Sequence, residues 1–185
     1  MEPIEIPAPT VEHGVLNHTG DLAIGPGVHH YDSFYVEGGT VTITGPASII
    51  ADSLDIDAAV QIDIDDSNGP VNIYGTGYFN LDRETDLGNP DNPAGLRIWI
   101  TTDTDDHEVI VDAAGATYGT IYAPNADLNL DATGAIYGSV IGRSLYMDRG
   151  FRLHYDEDLV NSGKTITFLF DGTGYAEYQN SYAMS

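Results

Sequence analysis

The chain has no cysteine and only one lysine, and both shortages narrow the reading. Without cysteine no disulfide frame can hold the fold, so stability must come from packing and backbone pairing. Six Lys and Arg against 29 Asp and Glu leave a net charge of −23. Nucleic acid is excluded as a partner, because binding it depends on neutralising phosphates with cations. An anionic membrane surface is disfavoured for the same reason. No run of about 18 apolar residues exists, so no segment is expected to span a bilayer. The opening Met-Glu-Pro-Ile-Glu-Ile-Pro lacks the basic region and apolar core of a signal peptide, so an export signal or anchor would have to be removed or lie elsewhere. Glutamate is scarce too. Asp outnumbers Glu by 21 to 8, favouring turns over helices.

What is present is alternation. Phe34/Val36, Val41/Ile43, Leu54/Ile56, Val60/Ile62/Ile64, Val71/Ile73 and Leu96/Ile98/Ile100 each place apolar side chains on one strand face. Gly38-Gly39, Gly45-Pro46 and residues 65–70 punctuate them as turns. Asp82–Gly95 breaks the rhythm and reads as a loop bulging outward.

The clearest signal is an internal repeat. Val109–Gly119 (VIVDAAGATYG) recurs as Leu128–Gly138 (LNLDATGAIYG), offset by 19 residues, and a shorter copy follows through Leu145, Met147, Asp148 and Gly150. Self-similarity at about this period marks a solenoid, and period-two alternation makes it a β-solenoid. The expected fold is all-β, a parallel β-solenoid with coils of roughly 13–23 residues. Its right-handedness follows from the general preference of parallel crossovers. Coils stacked about 4.8 Å apart would align a structural ladder of Tyr118 on Tyr137, Asp112 on Asp131 and Gly115 on Gly134. Like charges on neighbouring strands repel. The two aspartates therefore either cap their own turns or share a cation, and capping is favoured by the glycine three residues after each.

One domain spans 1–185: a proline-rich arm with a first coil over 1–27, a core over 28–159, and a closing segment over 160–185. That segment carries Ile166, Phe168, Phe170, Tyr175, Tyr178 and Tyr182, which either cap the open end of the stack or contact another subunit.

For metals, Asp103, Asp105, Asp106 and Glu108 supply the hard oxygens that calcium prefers, and Asp63, Asp65 and Asp66 form a smaller group. Neither has the helix-loop-helix calcium spacing, so a solvated corner is the competing reading. Apart from calcium at these acids no cofactor is expected. His29 and His30 face opposite ways on a strand and cannot share an ion there, so structural roles are expected for the histidines.

Four segments resemble the C-terminal β-solenoid domain of PilX-type pilus-assembly proteins: Tyr31–Pro46, Tyr118–Ala126, Ile136–Ser144 and His154–Leu159. The Asp82–Gly95 loop fits that family loosely, and the chain continues past Leu159. The resemblance implies an extracellular or cell-surface location on a prokaryote and no particular chemistry. The expected function is a non-catalytic structural or adhesive module, pilus- or surface-associated, with itself, pilus or surface proteins, or polysaccharide as partner. Assembly into filaments is expected through the closing segment. The alternatives are a carbohydrate-active β-helix enzyme, either lyase or hydrolase, and a passive glycan- or calcium-binding module.

Overall fold

A strand that alternates apolar and polar residues needs a second apolar face to cover it, and here each coil covers the next. The computed structural model describes residues 4–56, 60–83, 86–102, 109–113, 115–131, 134–147, 150–155, 167–170 and 175–179. The strands are β1 (Val11–Thr19), β2 (Leu22–Ile24), β3 (Gly27–Glu37), β4 (Gly39–Thr44), β5 (Ala47–Ile56), β6 (Val60–Asp65) and β7 (Val71–Arg83). After a 3₁₀ turn at Pro93–Gly95 come β8 (Leu96–Ile100), β9 (Val109–Ala113), β10 (Ala116–Asp131), β11 (Ala135–Met147), β12 (Arg152–Tyr155), β13 (Thr167–Phe170) and β14 (Tyr175–Gln179). No α-helix occurs among the described residues.

The architecture is a parallel β-solenoid, as the repeat implied. One sheet runs β1-β3-β5-β7-β8-β10-β11-β14-β13, with β9 pairing β7 and β10 and with β12 pairing β11; β2-β4-β6 form a second sheet. Each coil contributes three runs, and each run builds a column of residues paired in register. Ile49, Ile73, Ile98, Ile121 and Val140 lie over one another in the first column. Leu16, Phe34, Leu54, Phe79, Val109, Leu128 and Leu145 follow in register in the second. The third runs Leu22, Val41, Ile62, Leu87, Thr117, Ile136 and Leu153. Nearly all of the isoleucines, leucines and phenylalanines at the centre of these columns are buried. Each contributes about 1.5–3 kcal/mol by leaving water.

The longest coils exceed the length that alternation suggested. Successive rungs of the first column are 18 residues apart from Val11 to His29 and 25 apart from Ile73 to Ile98, against the 13–23 expected. Part of the extra length lies in the Asp82–Gly95 segment, which does not simply bulge outward. Its Leu87 is fully buried and supplies a one-residue rung of the third column, where its N–H donates to Ala116 O at 2.7 Å and its C=O accepts from Tyr118 N at 2.7 Å. A single apolar residue between turn-formers shows no period, so the pattern could not announce it. Asp66 anchors the same loop by accepting from the side-chain amides of Asn89 (3.0 Å) and Asn92 (2.7 Å).

The repeat itself stacks as expected. Tyr118 pairs with Tyr137 and Gly119 with Gly138, and Asp112 pairs with Asp131, with Asp82 in the same column. The corner glycines align as well: Gly115 O accepts from Ala135 N and Gly134 O from Arg152 N. Sequence placed the backbone constraint at these two corners, but the clearest steric one is at Gly138. There φ is 149°, and a Cβ would sit 1.9 Å from Gly119 O of the coil below.

At the far end the direction reverses. β14 runs antiparallel to β11, pairing Leu145 with Ala176 and Tyr146 with Tyr175, and β13 pairs antiparallel with β14. Phe168 and Phe170 lie on β13, and Tyr175 and Tyr178 on β14, whereas Ile166 and Tyr182 lie outside the described residues.

Because the atom facing Gly138 is a backbone carbonyl that cannot rotate away, Gly138→Ala is expected to cost about 2–3 kcal/mol. Urea unfolding of the two proteins measures this. Equal midpoints would show that the Gly119–Gly138 contact is looser than described.

Candidate functional site

Polar side chains point out of the columns, and the stacking that aligns the core aligns these groups too. The densest constellation lies on the first coils. His30 on β3 sits in register with Glu12 on β1, and their side chains meet at 2.6 Å between Nδ1 and Oε2. The other ring nitrogen of His30, Nε2, faces Asp52 Oδ1 on β5 at 3.5 Å. Asp52 Oδ1 in turn accepts from Thr76 Oγ1 on β7 at 2.7 Å. One hydrogen-bonded line thus crosses β1, β3, β5 and β7. With a carboxylate at each ring nitrogen, the protonated imidazole is favoured: the Glu12 bond above all raises the His30 pKa, against desolvation, and Asp52 adds to the rise.

Asp32 completes the group. Single ligand atoms from His30, Asp32 and Asp52 all lie within 4.8 Å of one another, a spacing that can hold a metal ion. Sequence reasoning missed this set because Asp52 is 22 residues from His30 and becomes its neighbour only through the stacking. The expectation that His29 and His30 face apart holds.

His29 takes part in a different arrangement. Its Nε2–H donates to Gly25 O at 3.0 Å, which leaves Nδ1 to accept from His13 Nε2 at 3.0 Å. The His13 ring lies flat on Tyr31, with centroids 4.4 Å apart and planes 8° from parallel. Desolvation, and then the neighbouring His29, lower the His13 pKa. The His13 ring thus lies over the core residue Tyr31 beside β1, the terminal strand among the described residues.

Two aromatic columns flank the core; their rings are partly exposed except for Tyr74, which is buried. Tyr118 stacks on Tyr137 (5.1 Å, 19°), and the ladder continues onto His154 (4.5 Å, 4°), a third rung beyond the predicted pair. Because both tyrosines are only half-buried, the ladder adds less to stability than core aromatics would. Tyr74, Trp99 and Tyr122 form the second column, and Trp99 Nε1 donates to Asn72 Oδ1 at 3.3 Å. Nearer the last coils, Arg143 grips Asp127 with two nitrogens, at 2.9 and 2.7 Å, and Ser144 Oγ donates to it at 2.6 Å. Arg143 and Ser144 hold the Asp127 carboxyl down to about 2.

The predicted acid cluster, Asp103, Asp105, Asp106 and Glu108, lies outside the described residues. Of the second group, Asp65 accepts from the N–H and hydroxyl of Ser67 and Asp63 from Gln61, so both are engaged in local turns and pairs. Asp63 also lines a shallow groove together with Asp86, Gly88 and Asn89.

The His30 line makes stability depend on pH in a defined direction. A raised folded-state pKa gives a contribution that is complete below the unfolded value of 6.5 and is lost as pH rises through the folded value. The partners are exposed, so the whole effect is under about 1 kcal/mol. The stability gap between wild type and His30→Gln, read from urea melts, is expected to be larger at pH 6 than at pH 9. A gap that is flat or grows with pH would show that His30 is not held as the cation.

Neither the curated proteins nor the solved structures contain a match to this chain. A family model does match, over residues 8–162, from just before β1 to just past β12. The chain therefore belongs to the family described as a domain of unknown function, DUF7305.

Proposed function

We propose that this protein is a structural module displayed outside a prokaryotic cell, non-catalytic in itself, whose stacked faces serve adhesion or contact with pilus and surface proteins. The observation that carries this reading is the continuity of the core columns from the first coil to the last. Most of the described chain lies in strands stacked coil on coil, which yields regular surfaces. The excess of carboxylates keeps such a surface hydrated and apart from other acidic surfaces. The likeness of four segments to PilX-type solenoid domains supports the same setting.

The partly exposed rings of Trp99 and Tyr122, with Asn72 beside them, support polysaccharide as one adhesive partner. Rings with an apolar face and a polar tip suit ligands that offer both kinds of surface.

End-to-end association extends the reading. β1 is the terminal strand of the large sheet, Val15 on it is 72% exposed, and the β13–β14 hairpin closes the opposite edge. A contact between unlike ends grows into filaments rather than closed dimers, and salt would screen the charge that opposes it.

Immunogold labelling of intact producing cells with antibody to this chain is expected to decorate the cell surface or its pili. Label confined to the cell interior would overturn the proposal. Light scattering tests the assembly step separately: growth in mass at high salt supports it, and a monomer in both low and high salt removes it.

A further inference from the structure

We propose that His30, Asp32 and Asp52 bind a divalent first-row transition-metal ion of the zinc class. The starting observation is a repulsion. Tyr31 pairs with Ala51 and Phe34 with Leu54, so Asp32 and Asp52 occupy corresponding positions on adjacent coils. Strands in register are about 4.8 Å apart, and like charges opposed across them destabilise the pair. Glu12 adds a third carboxylate beside the same imidazole. A protonated His30 supplies one positive charge against three negative ones. A dication on neutral His30 balances them better.

The donors are also arranged as metal ligands usually are. Glu12 holds His30 through Nδ1, which turns Nε2 towards Asp52. A carboxylate behind a ligating histidine is the common outer-shell partner that sets ring orientation and tautomer. Thr76 orients Asp52 through Oδ1, and no described residue bonds its Oδ2. Among the described residues, Asp32 has no hydrogen-bond or ion-pair partner at all. Ligand atoms on a zinc ion at about 2.0–2.2 Å stand roughly 3.5 Å apart in a tetrahedron, so the present 4.8 Å envelope closes with small rotations of two exposed carboxylates. Water would complete the coordination. The imidazole nitrogen selects against calcium and magnesium, which take oxygen donors. Bound there, the ion ties β3 to β5, with support from β1 and β7.

The test uses full-length protein, with zinc chloride as the probe and calcium chloride as the comparison, followed by calorimetric titration, melting temperature and histidine side-chain NMR. Zinc is expected to bind at one site, raise the melting temperature and shift the His30 Nε2 resonance while leaving His154 unmoved. His30→Gln and Asp52→Asn are each expected to lower zinc affinity at least tenfold, and Glu12→Gln to lower it about tenfold, as outer-shell changes do. Asp32→Asn keeps the proposal falsifiable should those variants fold poorly. By removing the repulsion it is expected to raise the metal-free melting temperature while abolishing the zinc-induced rise. Any of these results overturns the proposal: no zinc binding at millimolar concentration, zinc binding unchanged in both His30→Gln and Asp32→Asn, or calcium binding as tightly as zinc. Loss of binding on His13→Ala with His30→Gln unaffected would also overturn it, by moving the ion to the His13–His29 pair.

Discussion

Backbone pairing between coils is the constraint on which everything else depends. Once strands are hydrogen-bonded in parallel register about 4.8 Å apart, each residue must coexist with the residues above and below it. For the inward positions this is easy, since isoleucine on isoleucine packs well and excludes water. The column Ile49–Ile73–Ile98–Ile121 is the direct outcome. At corners the same closeness becomes a prohibition. Gly39 sits where a Cβ would meet the backbone of Gly20 at 2.3 Å, one coil earlier, with φ at 82°. Stacking therefore selects glycine there for want of space as much as for backbone freedom.

Outward columns obey the rule with a different result. Rings can stack, and Tyr118–Tyr137–His154 does. Amides can bond along a column, as Asn80 does to Asp55 at 3.0 Å. Carboxylates facing one another can do neither unless a hydrogen-bond donor or a cation stands near. Arg143 meets this need for Asp127, and His30 meets it for Glu12 and Asp52. In a chain with 29 acids and six Lys and Arg, most acids must instead face water or bond to turn N–H groups, as Asp65 does to Ser67. The cluster of acids around the His30 imidazole is therefore where this surface departs from simple solvation.

How much of this was legible in the sequence depended on repetition. The 19-residue repeat put Tyr118 over Tyr137 and Asp112 over Asp131 without any coordinates, because equal spacing leaves one register that keeps both core faces inward. Across the first coils the spacing changes from one coil to the next, so alternation identified the strands but not who lies over whom. That is why the neighbours of His30 were invisible: Asp52 follows Ala51, and only the Tyr31–Ala51 pairing makes it a partner. Leu87 was missed for the opposite reason, being a core rung with no period to reveal it. The histidines were assigned structural roles, and for His13 and His29 the geometry agrees.

The two ends of the stack solve one problem by different means. An end coil has a core face or strand edge that no further coil covers, and water there would cost much of what the columns gain. At the start, His13 leaves the strand at an irregularity between Glu12 and Gly14 and lays its ring over Tyr31 and His29. A ring of this kind shields the apolar surface beneath it and still offers a nitrogen to solvent, which an aliphatic cap could not do. At the finish, β14 crosses to antiparallel pairing, so the parallel series cannot continue along that part of β11. Reversing the chain ends the template, whereas covering it with rings leaves the outer edge of β1 able to pair. The stack thus ends on two unlike edges, β1 in the parallel series and β13 in an antiparallel pair, so a contact between its ends joins different surfaces.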